Sequence, residues 1–372
     1  MNDKTTDVAS ASRRRRLIVK AAVAFVVVFV IVLLNLKEIV KSSPQFFGYR
    51  GDDLFGVYIC GLDGKGFQRL ISDPKREMTH ARLSPDRRRI TFTRYNKLLD
   101  SGLAEENGSN YVHSEIMVAN ADGSALRPVV ASGPETMNAN SSWLDNDRLI
   151  FVHSSNLKKS LPELRILNLS SNQSSRVPTP KQWAVADPTC FNDIVVFPSV
   201  SLSNDSKACN ALWRMRLDGS ELQQLTAPKI NATSTKLDFK LGDYDPWLSP
   251  DGETVTFMRY FGGTDWRIFT IDLRGKFEKQ LTESGIPSGI PKWSSDAKAI
   301  VYVCWDNSKL ENIGLYTFDP TGTSRRKVPL PGGYLYTHPS FFPESGSQSS
   351  AKIIFSARRV PGLPGSVVKN TR

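Results

Sequence analysis

The sequence predicts an all-β chain, a six-bladed β-propeller with four-stranded blades and a composite (2+2) closure, preceded by one transmembrane helix. Three observations predict it: two kinds of strand–turn–strand element that each occur six times, their strict alternation, and one long apolar run near the N-terminus.

The first element is clearest in DYDPWLSPDGETVTFMRY (243–260). Asp251-Gly252 supplies a tight turn, and Val255 and Phe257 fall on one face of the strand that follows. The same phrase recurs at 79–95, 138–154, 185–199, 288–305 and 337–358, with Arg87 or Ala297 in place of the glycine and a longer turn in the last copy. The second element is an apolar strand, an Asp-Gly or similar turn and a short polar strand, at 57–70, 115–129, 163–177, 212–225, 267–281 and 314–328. Together they make four strands per ~40–50 residues, the size of a propeller blade. The array opens on a second element and closes on a first. In a closed ring, 57–70 and 337–358 must therefore share a blade, which removes the exposed edges that an open array would leave.

Residues 17–36 carry the apolar run. Its length suits ~30 Å of hydrocarbon as a helix, and Arg13, Arg14, Arg15 and Arg16 before it predict a cytoplasmic N-terminus. No small-residue cleavage site follows, so an uncleaved anchor is expected. The expected organisation is a cytoplasmic basic tail (1–16), a transmembrane signal-anchor helix (17–36), a stalk (37–54), the propeller (55–360) and a C-terminal tail (361–372). It makes the chain a single-pass membrane protein with its propeller periplasmic or extracellular. The formal net charge is +11, part of it in the four arginines. No basic stripe with interleaved aromatics appears in the rest, which argues against nucleic acid as a partner. The four cysteines, Cys60, Cys190, Cys209 and Cys304, form no CxxC pair. Their even number admits a disulfide, with Cys190 and Cys209 the closer pair in sequence, beside the alternative of four thiols acting as small apolar residues.

The phrases LSPDG, SPDRRRITF and LWRMRLDGSELQQLT resemble the repeats of the TolB-like (PD40 or WD40-like) propeller family, over roughly 55–360. The resemblance implies a six-bladed ring whose innermost strands end near the Ser-Pro-Asp-Gly turns. It departs from the family's periplasmic translocation protein, because no α/β domain separates the anchor from the propeller. Nor does the chain contain the G-x-S-x-G elbow of the peptidases that carry related propellers.

The turn residues Ser84, Pro85, Asp86, Ser249, Pro250, Asp251 and Gly252 read as structural, their Asp side chains tying down each turn. Just upstream, where an innermost strand faces the channel, the equivalent positions hold His80, Asn140, Asp187, Asp245, Ile290 and His338. All but Ile290 are candidates for binding at the channel rim. Blades one and six are neighbours in a closed ring, so His80 and His338 approach each other, and with Asp245 they are the candidates for a metal, imidazole and carboxylate being transition-metal donors. Against that stands the ordinary reading of such residues as turn braces, and the expectation is no cofactor, no metal and no catalytic residue. With four histidines and no triad or paired-carboxylate motif, binding is favoured over catalysis. The function expected is a membrane-tethered scaffold for a protein or glycan of the cell envelope. The alternative is an envelope polysaccharide lyase or hydrolase with a metal-assisted site at the channel mouth.

Overall fold

Short β-branched and aromatic runs broken by Asp, Gly, Asn and Pro leave the chain little choice but strands and tight turns. A computed structural model of the chain describes residues 54–96, 113–133, 135–156, 159–200, 209–230, 241–305, 309–342, 351–360 and 363. These form six antiparallel sheets. Blade one is β3 (Arg76–Leu83), β4 (Arg89–Asn96), β5 (Glu115–Asn120) and β6 (Arg127–Val130). Blade two is β7 (Met137–Trp143) to β10 (Gln173–Arg176), and blade three runs from β11 (Ala184–Val185) to β15 (Gln223–Gln224). Blade four is β16 (Gly242–Leu248) to β19 (Lys279–Gln280), and blade five is β20 (Ser288–Trp293) to β23 (Arg326–Lys327).

Blade six is composite, in the order β2-β1-β25-β24. Here β1 (Gly56–Gly61) and β2 (Gln68–Ile71) come from the start of the propeller, and β24 (Tyr334–Phe342) and β25 (Lys352–Arg359) from its end. The join is a full ladder from Gly56↔Ala357 to Gly61↔Lys352. The 2+2 closure expected from the order of the repeats is therefore present. Blade three departs from the plain four-stranded pattern. Its inner strand is split into β11 and β12 (Thr189–Phe191), which pair separately with β13 (Ile194–Val200).

The core lies between blades. One cluster joins Val57, Ile71 and Ile354 of blade six to Met78, Phe92 and Met117 of blade one, and another joins Val196 and Leu212 of blade three to Val255 and Phe257 of blade four. The Asp-Gly turns add backbone contacts at these junctions. A Cβ on Gly64 (φ +76°) would overlap the carbonyl oxygen of Pro329 in the neighbouring blade, so only glycine lets the two backbones meet there.

The Ser-Pro-Asp-Gly turns are built alike. Ser84 Oγ donates to Asp86 Oδ1 (2.6 Å) and accepts from the Arg89 N–H (3.0 Å), while the Arg88 N–H donates to Asp86 (3.1 Å). The same three bonds recur at Ser249–Asp251 and Ser294–Asp296. Arg87 and Ala297 occupy the glycine position with φ of 65° and 57°.

None of the four cysteines is in a disulfide; Cys60 and Cys304 are buried and Cys190 and Cys209 half-buried. The expected membrane placement is corrected. No helix among the described residues is long and apolar enough to cross a membrane. Hydropathy shows only that a segment tolerates hydrocarbon; a span also needs a helix that satisfies its own backbone. The segments 1–16 and 17–36, and most of the stalk 37–54, lie outside the described residues, as does the tail 361–372 apart from Leu363.

Candidate functional site

Each innermost strand starts on one face of the ring and breaks register part-way along. The ladders skip between Thr79 and Arg82, Ala139 and Ser142, Tyr244 and Trp247, Gly289 and Lys292, and Thr337 and Ser340. In blade three the skip is the gap between β11 and β12. One residue at each break is left-handed: His80 (φ 59°), Asn140 (55°), Asp187 (37°), Asp245 (47°), Ile290 (55°) and His338 (47°). A bulge of this kind leaves a residue outside the ladder and re-aims its side chain. In four blades the next residue is a proline (Pro188, Pro246, Pro291, Pro339), which has no N–H to lose at an unpaired position.

These are the six positions that the repeats align. All are buried, none more than 8 % exposed. Five sit within an innermost strand, and Asp187 sits in the gap between β11 and β12. The His80 and His338 rings lie 3.8 Å apart, so the closure does bring the two histidines together. Each imidazole is oriented by the threonine before it: His80 Nδ1 is 2.9 Å from Thr79 Oγ1, and His338 Nδ1 3.1 Å from Thr337 Oγ1. Asn140 donates from Nδ2 to Asp187 Oδ1. Donor atoms of His80, Asp187 and Asp245 all lie within 4.8 Å of one another. Asp187 thus takes the place in this cluster that the sequence reading gave to His338.

Two residues further along the same strands lies a layer that the sequence reading did not single out. Arg82 of blade one reaches across the axis to Trp247 of the opposite blade four, its guanidinium 4.6 Å from the indole centroid. Lys292 Nζ of blade five approaches the same ring at 4.6 Å. Arg82 and Lys292 are buried, at 4 % and 3 % exposure. Period-2 alternation from each bulge could have found them, since residues i and i+2 of a strand share a face.

Burial sets the electrostatics. It pushes the Asp187 carboxyl up to about 8, with the nearby Asp245 charge adding to the shift, and it raises Asp245 as well. It drives Lys292 down to about 7 and Arg82 to about 10. Both histidines are held well below the ordinary imidazole value, by burial first and then by neighbouring positive charge. Near neutral pH the imidazoles are uncharged and can donate a lone pair.

No protein-family model matches the chain, and no curated protein sequence matches it. Solved structures do share its fold. A TolB-assigned protein from Agrobacterium tumefaciens is 12% identical with a TM-score of 0.55, over 84% of this chain and 100% of that one. Hydrazine synthase from Kuenenia stuttgartiensis is 10% identical with a TM-score of 0.51, over 75% of this chain and 45% of that one. An oligogalacturonate lyase from Vibrio parahaemolyticus is 13% identical with a TM-score of 0.46, over 83% and 98%. The chain has the TolB-like six-bladed propeller fold. At such identities the likeness goes no further than the fold, and the last is too loose to bear on function.

Proposed function

We propose that this propeller is a binding module, taking a protein or glycan partner on the face where the innermost strands begin. The observation that carries this reading is the difference between its two faces. On the opposite face the strands are joined mostly by tight turns, such as Ser84–Asp86 and Ser249–Asp251. The strand ends on the proposed face are bridged by sequence of very unequal length: two residues between β17 (Thr254–Gly262) and β18 (Asp265–Asp272), 18 between β4 and β5, and 17 between β15 and β16. Variable connections on a rigid, closed scaffold are where binding residues gather. The positive excess of the chain suits an acidic partner.

The shaft favours binding over catalysis on polysaccharide. A sugar chain would have to reach His80, Asp187 and Asp245, and each is buried. The test is crosslinked capture from cells, comparing the wild-type chain with one in which 97–112 is replaced by a short turn. A Ser249→Ala chain serves as a control altered on the other face. A specific partner lost only from the loop-shortened chain supports the reading. Turnover of a polysaccharide by the purified wild-type protein, abolished in Asp245→Asn, would overturn it.

A further inference from the structure

We propose that His80, Asp187 and Asp245 form a binding site for one divalent transition-metal ion inside the shaft. The site is independent of which partner the outer face takes.

The argument starts from two aspartates on one strand. Asp243 and Asp245 are both fully buried, at 0 % and 1 % exposure. Asp243 is satisfied: Arg259 donates to it from Nε (2.5 Å) and Nη2 (3.0 Å), and Glu278 engages the other side of the same guanidinium. Neither carboxylate oxygen of Asp245 has a hydrogen-bond partner. A buried carboxyl without donors is costly, and native proteins resolve such groups with a water, a proton or an ion.

The cations already in the shaft do not resolve it. Arg82 and Lys292 act on Asp245 through space. Both instead lie against the face of Trp247, and Arg82 Nη1 and Lys292 Nζ also lack hydrogen-bond partners. Opposite charges thus occupy successive layers of the shaft without meeting, which leaves the carboxylates facing the axis.

What faces Asp245 on that axis is a donor set. Asp187 and His80 each offer an atom within 4.8 Å of it and of each other. Bonds of ~2.0–2.2 Å to a common ion would draw these atoms closer by small side-chain rotations. One imidazole nitrogen with two carboxylate oxygens suits zinc, manganese or ferrous iron better than calcium or magnesium, which prefer oxygen alone. The arrangement also has the outer partners that metal ligands require. In the tautomer whose Nδ1–H donates to Thr79 Oγ1, His80 presents Nε2 to the ion, while Asn140 holds one oxygen of Asp187 and leaves the other.

The test is calorimetric titration of the full chain, stripped with chelator, with Mn²⁺, Zn²⁺ and Ca²⁺ in turn. One equivalent of Mn²⁺ or Zn²⁺ is expected. Binding should weaken by more than ~100-fold in Asp245→Asn and His80→Gln, and by ~10–100-fold in Thr79→Val, which removes the hydroxyl beside His80 Nδ1. Circular dichroism checks that each variant is folded, and Ser249→Ala, at the turn that follows β16, should bind as the wild type does. Wild-type affinity for Mn²⁺ and Zn²⁺ no greater than that of folded Asp245→Asn would overturn the proposal. So would a site that takes Ca²⁺ while excluding the other two, since the imidazole would then have no part in it.

Discussion

The hairpin turns and the axial shaft are both sixfold features of one ring, yet they repeat different things. At the turns of blades one, four and five the chemistry repeats: Ser84 with Asp86, Ser249 with Asp251 and Ser294 with Asp296 make the same bonds. In the shaft only the backbone repeats. Six residues share a left-handed conformation, with φ between 37° and 59°, while their side chains are His, Asn, Asp, Asp, Ile and His. Non-glycine residues pay ~1–3 kcal/mol for such a conformation, most of all a β-branched one such as Ile290. The bulge is therefore imposed by the blade, and what it aims at the axis varies freely. Repeated chemistry reports how the ring is built; varied chemistry on a repeated backbone reports where it can act.

The most damaging way to probe this division is to attack the ring itself. A chain ending at residue 333 lacks β24 and β25, so β1 and β2 become a half-blade with an open edge. The buried Ile354 and Phe355 are lost with them. We expect loss of cooperative unfolding and of soluble yield, followed by circular dichroism on heating. A truncated chain that melted like the full one would show that the closure contributes little.

Next in size is the junction between blades five and six. Gly64→Ala should cost ~3 kcal/mol, since it adds a steric overlap with Pro329 to an unfavourable φ. Gly66 lies two residues away with a similar φ of +67° and nothing within 4 Å. Gly66→Ala should cost only ~1 kcal/mol. Denaturant melts of the pair separate inter-blade contact from backbone strain, and equal losses would assign the whole effect to strain.

The shaft answers to pH instead. Asp187 rises to about 8 in the folded chain from 3.8 when unfolded. Between those values the native state keeps a proton that the unfolded state releases, so this group's contribution to stability falls as pH rises from about 4 to 8. Asp245 acts in the same direction. Lys292, lowered to about 7, acts oppositely above that pH, because the unfolded lysine still binds its proton up to 10.5. His80 and His338, lowered by burial, subtract stability as pH falls below 6.5. Asp187→Asn removes the first of these terms. Relative to wild type, it should gain ~3–4 kcal/mol between pH 5 and pH 8, read from urea midpoints. An unchanged difference across that range would show that Asp187 stays ionised in the fold.

The legibility of these features in the sequence follows the same division. Blade number, the alternation of elements and the shared sixth blade could be read because turn chemistry is local: a serine and an aspartate two residues apart make their bonds within one loop. The six axial positions could be aligned from those turns, and the meeting of His80 with His338 followed from closure alone. Their burial could not be read, nor the exchange of His338 for Asp187 in the tightest cluster, because both depend on how side chains from non-adjacent blades meet across the axis. Arg82 and Lys292 were hidden for a related reason. A basic residue on a strand reads as solvent-facing until Trp247, on another blade, is seen to cover it. The apolar run at 17–36 was the strongest local signal of all, and it carried the expectation that no helix among the described residues supports.

The smallest expected effects lie at the turns, and they test the comparison most sharply. Each serine hydroxyl bridges an aspartate and a backbone N–H, so Ser84→Ala, Ser249→Ala and Ser294→Ala should each cost ~1 kcal/mol. The three sit in different blades and share no partner, so the costs should be nearly equal and should add in the triple variant to within about 0.5 kcal/mol. The shaft should fail the same test. Asp245 raises the pKa of Asp187 through its charge, so neutralising Asp245 changes the cost of burying Asp187. Asp187→Asn and Asp245→Asn combined should therefore differ from the sum of the two single changes by more than that margin. Additivity in the shaft, or strong coupling among the turns, would erase the distinction between a repeated scaffold and a diversified site.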